Sequence, residues 1–217
     1  MSSSRWLCFV AAAVLAVLGC GGEDATSFDS LAQLPAAADD GEQGAPAADV
    51  VQSEHVKTVR EADGSFASQV DATSMQSWVY FNLREQAEVK PEQPEQSASW
   101  DLAFQRSNVK LNGGSSGPGG VLVSVASGSF DSVAEAPADG YLADAADADM
   151  DGAPDYALGA RDGWYSYDPA SHVLTARDTV FVLKTAGGYF KLQFSSYYDA
   201  AGTPGMPQFR WAPLGGT

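Results

Sequence analysis

The stretch Val180-Phe181-Val182-Leu183-Lys184-Thr185, then Ala186-Gly187-Gly188, then Tyr189-Phe190-Lys191-Leu192-Gln193-Phe194 constrains this chain more than any other. Both arms are rich in β-branched and aromatic residues, and glycines stand between them. Glycine reaches the positive backbone angles of a tight hairpin at no steric cost, so the pattern predicts two antiparallel strands. In the second arm Phe190, Leu192 and Phe194 alternate with Tyr189, Lys191 and Gln193. Side chains on a strand point to opposite faces in turn, so this arm is expected to bury one face and wet the other. The buried face needs a cover. No segment beyond residue 19 carries a long helical period, so more strands must supply it, and the expected fold is all-β: a single antiparallel β-rich domain.

Other segments agree. Val56-Lys57-Thr58-Val59 and Val121-Leu122-Val123-Ser124-Val125 read as short strands, and Gln208-Phe209-Arg210-Trp211 as a last one after the turn-rich Ala201–Gly205. Trp78-Val79-Tyr80-Phe81-Asn82-Leu83 is apolar at nearly every position, which predicts a strand covered on both sides. Two prolines make Lys90–Gln96 a loop. In Trp100–Arg106, parity puts Trp100, Phe104 and Arg106 on one face, the aromatics as core anchors. Arg106 would then need a carboxylate or carbonyl partner.

The N-terminus has its own logic. Arg5 precedes an uncharged apolar run from Trp6 to Leu18, shorter than the ~20 residues of a membrane-spanning helix. This is the layout of an export signal. It ends in Val17-Leu18-Gly19-Cys20, similar to a bacterial lipobox, in which the cysteine is acylated through a thioether and the chain is cut before it. Residues 1–19 are thus expected to be a lipoprotein signal peptide, with Cys20 the lipidated first residue and membrane anchor. The only other cysteine is Cys8, inside the removed segment, so the mature chain has no disulfide. Residues 20–53 are poor in large apolar groups and read as a disordered acidic tether, leaving 54–217 as the β domain. Gly21 after the cysteine, by analogy with enteric bacteria, favours the outer membrane and the cell surface. A formal net charge of −16 excludes nucleic acid as a partner, since phosphates would repel it.

Three blocks carry a family resemblance: Trp100–Arg106, then Lys110-Leu111-Asn112-Gly113-Gly114-Ser115-Ser116-Gly117, then the hairpin running through Tyr197-Tyr198-Asp199 to Phe209-Arg210-Trp211. Together, over roughly Glu54 to Leu214, they resemble the HmuY family of haem-binding surface lipoproteins. The resemblance implies an all-β domain outside the cell, haem capture, and delivery to a TonB-dependent outer-membrane receptor. It also implies iron held by two axial His or Met side chains on loops. The blocks have a structural reading as well, since Asn112-Gly113-Gly114 suits a sharp chain reversal whatever is bound.

For haem the candidate ligands are His172, Met150 and Met206. The chain's other histidine, His55, reads as a solvated surface residue, Met75 as a strand-start residue, and Tyr165–Tyr167 as an aromatic turn before His172. A second cofactor candidate is calcium. Asp147, Asp149, Asp151 and Asp155 stand at relative positions one, three, five and nine, with Gly152 at six, as in the first part of an EF-hand-type loop. Leu158 stands where that loop needs its bidentate Glu, and Asp144 is the candidate remote carboxylate. The alternative function is accordingly a calcium-stabilised envelope or adhesion module without small-molecule cargo. No Gly-x-Ser-x-Gly elbow, His-Glu-x-x-His or phosphate-binding glycine loop is present, and an enzyme is not expected.

Overall fold

The computed structural model describes residues 49–159 and 163–215, all within the compact unit Gly44–Thr217. The expected signal segment, Cys20 and most of the expected tether lie outside the described residues. The described chain runs through β1 (Val50–Gln52), β2 (Val56–Arg60), β3 (Phe66–Val70), β4 (Val79–Asn82), β5 (Ala87–Val89), β6 (Leu102–Gln105) and β7 (Asn108–Leu111). It continues through β8 (Leu122–Ala126), β9 (Tyr165–Asp168), β10 (Val173–Ala176), β11 (Val180–Thr185), β12 (Gly188–Tyr198) and β13 (Pro204–Leu214). A turn of 3-10 helix at Pro94–Gln96 interrupts the loop after β5. Among the described residues the first strand, β1, falls inside the span 20–53 read as tether.

Three antiparallel sheets result. The largest has the order β1-β2-β3-β13-β12-β11-β8, a second the order β5-β4-β6-β7, and β9 pairs with β10. The hairpin forms as its sequence dictates: Thr185 faces Gly188, which has φ +117°, and Phe181 faces Leu192. Phe190, Leu192 and Phe194 are buried, and the first two sheets pack their inner faces together. Phe104 stacks on Phe209 at 5.4 Å, while Phe81 meets Phe209 and Trp211 edge-on. Each such ring contributes about 1.5–3 kcal/mol by leaving water. Polar groups inside are matched: the Trp211 indole N–H donates to Ser68 Oγ, itself 2.9 Å from Thr58 Oγ1.

The largest sheet is covered on part of its outer face too. Phe130 and Val133, in the connection after β8, pack on Val180, Val182, Ala212 and Leu214 as a second core. Lys191 holds this strap by donating to the Phe130 and Val133 carbonyls at 2.7 and 2.9 Å. Arg210 lies over the Phe130 ring and pairs with Asp131 at 2.9 Å. Strand β11 is therefore buried on both faces.

Four expectations are corrected. Strand β4 alternates buried and half-buried residues, because only its inner face meets the other sheet; Trp78 and Tyr80 instead border Lys110, whose Nζ lies 4.2 Å from the Trp78 ring. Trp100 precedes β6 and is buried apart from the inter-sheet core, with its indole N–H on the Pro94 carbonyl. Arg106 lies past the end of β6, in the turn to β7, so strand parity does not govern it. Tyr165–Tyr167 belong to β9 rather than to a turn.

Candidate functional site

The four residues Pro169–His172 connect β9 to β10, and the turn is held by Asp168, the last residue of β9. Asp168 accepts from the Ser171 hydroxyl at 2.6 Å and from the Ala170 amide at 2.9 Å, and these bonds hold its carboxyl below the ordinary range. The Asp168 carbonyl accepts the His172 amide at 2.8 Å. This places His172 at φ +58°, a left-handed conformation uncommon outside glycine. Its imidazole is exposed, and Nδ1 lies 2.5 Å from the Tyr167 hydroxyl. Tyr167, 50% exposed, lies beside the imidazole, while Val173 pairs with Asp168 and so faces the other side of the hairpin. On the Tyr167 face, Tyr165, Leu174 and Ala176 pack onto the main core and fix the hairpin.

The turn sits at the end of the domain where several connections meet. The Leu174 amide donates to the Tyr198 hydroxyl at 3.1 Å, and Tyr198 pairs with Pro204 at the start of β13. Trp164, stacked on Phe194, donates its indole N–H to the Ser107 carbonyl in the β6–β7 turn. Arg106, in that turn, lies 5.9 Å from the centre of the Tyr197 ring and donates to the Pro204 and Thr73 carbonyls. Met206 is half-buried two residues beyond Pro204.

The remaining candidates fall elsewhere. Met150 is 87% exposed within the acidic loop, and Met75 is also exposed. Asp147, Asp149 and Asp151 each bring a carboxylate oxygen within 4.8 Å of the others, all three exposed. Those carboxylates already serve the loop: Asp147 accepts the Gly152 amide, Asp149 that of Asp151, and Asp151 that of Ala153. Asp155 stands outside the trio, bridging to Ala145 and accepting the Ala148 amide. Leu158, at the position of a twelfth ligand, is buried in the core. Asp144 does not complete a cation shell. It is 3% exposed and accepts the Leu111 and Ala157 amides at 2.9 and 2.8 Å. Burial pushes its carboxyl above the ordinary range, against the opposing pull of those amides. His55 is not simply solvated either, since its Nδ1 lies 3.0 Å from Glu88, whose side chain is only 6% exposed.

An open cleft of about 580 Å³ lies on the outer face of β2, β3 and β13, lined among others by Lys57, Gln69 and Arg210. None of the residues singled out as ligands lines it. Two residues of interest escaped the sequence reading of the site. Tyr167 was visible only as part of an aromatic run, and its pairing with His172 needs the hairpin register. Arg106 looked like a strand residue, and only the turn geometry sets it apart.

Comparisons with known proteins bear on all of this. The HmuY protein family model matches residues 74–211. Among solved structures, the chain is similar to the apo HmuY analog of Tannerella forsythia, at 18% identity and a TM-score of 0.53, covering 68% of this chain and 94% of that one. A candidate HmuY-like haem-binding protein from Bacteroides vulgatus matches at 20% identity and a TM-score of 0.50, over 70% of this chain and 93% of that one. A candidate lipoprotein from Bacteroides fragilis matches at 21% and 0.51, over 73% and 96%. At such identities the structural likeness is one of fold. No curated protein sequence matches. With the family model running from before β4 into β13 and through the β9–β10 hairpin, over more than half of the chain, the chain belongs to the HmuY family.

Proposed function

We propose that this protein is a lipid-anchored surface protein that captures haem at the β9–β10 end of its domain and passes it to a TonB-dependent outer-membrane receptor. Family membership supports the reading, as does the similar fold of the candidate haem-binding protein from Bacteroides vulgatus. The observation that carries the site is the His172–Tyr167 pair. A histidine ligand normally donates its second ring N–H to a neighbour, which fixes the tautomer and the ring orientation. With the ring proton on Nδ1, His172 would donate to the Tyr167 oxygen 2.5 Å away and the Nε2 lone pair would be left for iron. Haem would supply the iron and its porphyrin, and the half-exposed Tyr167 ring would offer it an aromatic contact. Met206, half-buried near Pro204, would be the second candidate ligand, and Met150 the less favourable one because its side chain is almost wholly in water.

The test is a haem titration of the purified domain followed in the Soret band, oxidised and reduced. Binding with a shifted band is expected, together with loss of that shift and at least a tenfold weaker Kd in His172→Ala, as loss of a metal ligand implies. A spectrum identical to that of haem in buffer would retire the proposal. Anchoring is tested separately, by incorporation of labelled fatty acid that disappears in Cys20→Ser.

A further inference from the structure

We infer that Arg106 is a carboxylate-binding residue of the ligand site, poised to take an acidic side group of the bound tetrapyrrole; this rests on the haem reading above. Three independent features of the residue point there. The first is backbone conformation. Gln105 pairs with Asn108, so Arg106 and Ser107 alone make the turn, and Arg106 has φ +54° at a position where such turns favour glycine. A side chain kept at that cost marks a site where the side chain is needed.

The second is how the guanidinium is held. Its Nη1 donates to the Pro204 and Thr73 carbonyls at 3.2 and 3.4 Å, and its Cζ lies over the Tyr197 ring. Gly205, at φ +85°, makes room for it: a Cβ there would fall 2.6 Å from Nη1. The group is thereby fixed before any ligand arrives, which lowers the entropy lost on binding. The third is what it lacks. Among the described residues Arg106 has no ion pair and no carboxylate acceptor, in a chain with 28 acidic residues and only 12 Lys and Arg. A guanidinium has five N–H donors in a fork that fits a carboxylate, and here only Nη1 has acceptors. The position fits as well: Arg106 contacts Tyr197, its neighbour Tyr198 bonds Leu174, and Leu174 is two residues from His172.

The experiment compares haem with its dimethyl ester, which keeps the iron and the ring but has no carboxylates. Wild-type protein should bind the diacid about tenfold or more tightly than the ester, the scale of one charge-assisted bidentate contact. Arg106→Gln should abolish that preference without moving the Soret maximum, and Arg106→Lys should keep part of it. A purely structural role would lower the melting temperature and leave the diacid-to-ester ratio unchanged. Equal wild-type affinity for both forms overturns the inference while the haem reading stands, whether or not Arg106→Gln folds. Failure of wild type to bind either form overturns both.

Discussion

Two loops that look alike in one dimension behave in opposite ways. The glycine-rich loop 113–120 and the acidic loop 147–155 are both polar and turn-rich, with Met150 their one large apolar residue. The first is packed around a buried side chain. Asn112, wholly buried, donates to the Ser97 and Trp100 carbonyls and accepts the Gly119 amide. A Cβ on Gly113, Gly114 or Gly117 would fall about 2 Å from a neighbouring oxygen. The second loop faces water and bonds mostly to itself. Asp144 ties the first loop to the segment just beyond the second, since its carbonyl accepts the Ser115 amide while its side chain accepts the Ala157 amide. Glycine in a loop thus signals close approach here as much as flexibility, and clustered Asp signals turn-making as much as metal.

The largest expected effect tests the packed side of the contrast. In Gly114→Ala the new methyl would sit 2.0 Å from the Asp144 carbonyl oxygen at φ +61°, so a loss of about 3 kcal/mol or more is expected in urea unfolding. Unchanged stability would mean the loop is slack after all. Next comes Asn112→Ala, which strands two carbonyls and an amide in the interior at a cost of about 2–4 kcal/mol.

Asp144→Asn tests the tie made by Asp144. Burial raises the folded-state pKa of Asp144, so ionisation costs the folded form stability at every pH above that value. The cost fades as pH falls through it toward the unfolded value. Wild type should therefore gain stability relative to Asp144→Asn between pH 7 and pH 4, read from paired unfolding curves; a constant difference would contradict the assignment. Smallest of all, Asp149→Ala should change stability by no more than about 0.5 kcal/mol, as for exposed positions generally. Melting with calcium and with chelator should then coincide. A calcium-dependent rise abolished by that substitution would make the acidic loop a cation site.

Much of the sandwich was legible in the sequence. Alternation along Phe190, Leu192 and Phe194 marked the buried face, and glycines marked the β11–β12 turn, because both depend on local backbone geometry. What covers each strand was not legible. Val180 and Val182 are buried only because Phe130 crosses from a distant connection, and Trp100 lies under the Pro94 turn rather than between the sheets. The site divides the same way. His172 stood out by residue type alone, but Tyr167 gains its meaning from a register, and Arg106 from a turn that strand parity had hidden. Met150 and the aspartates were conspicuous in composition, yet the fold spends them on an exposed loop.

The strap that carries Phe130 has a consequence for handling and for the cell. Beneath it lie Val180, Val182, Ala212 and Leu214 on one continuous sheet face. Were the strap cut by a protease and its ends peeled away from Lys191 and Arg210, that face would be bared to water while the inner core stayed intact. The nicked molecule would be folded yet adhesive, prone to stack sheet on sheet with its own kind.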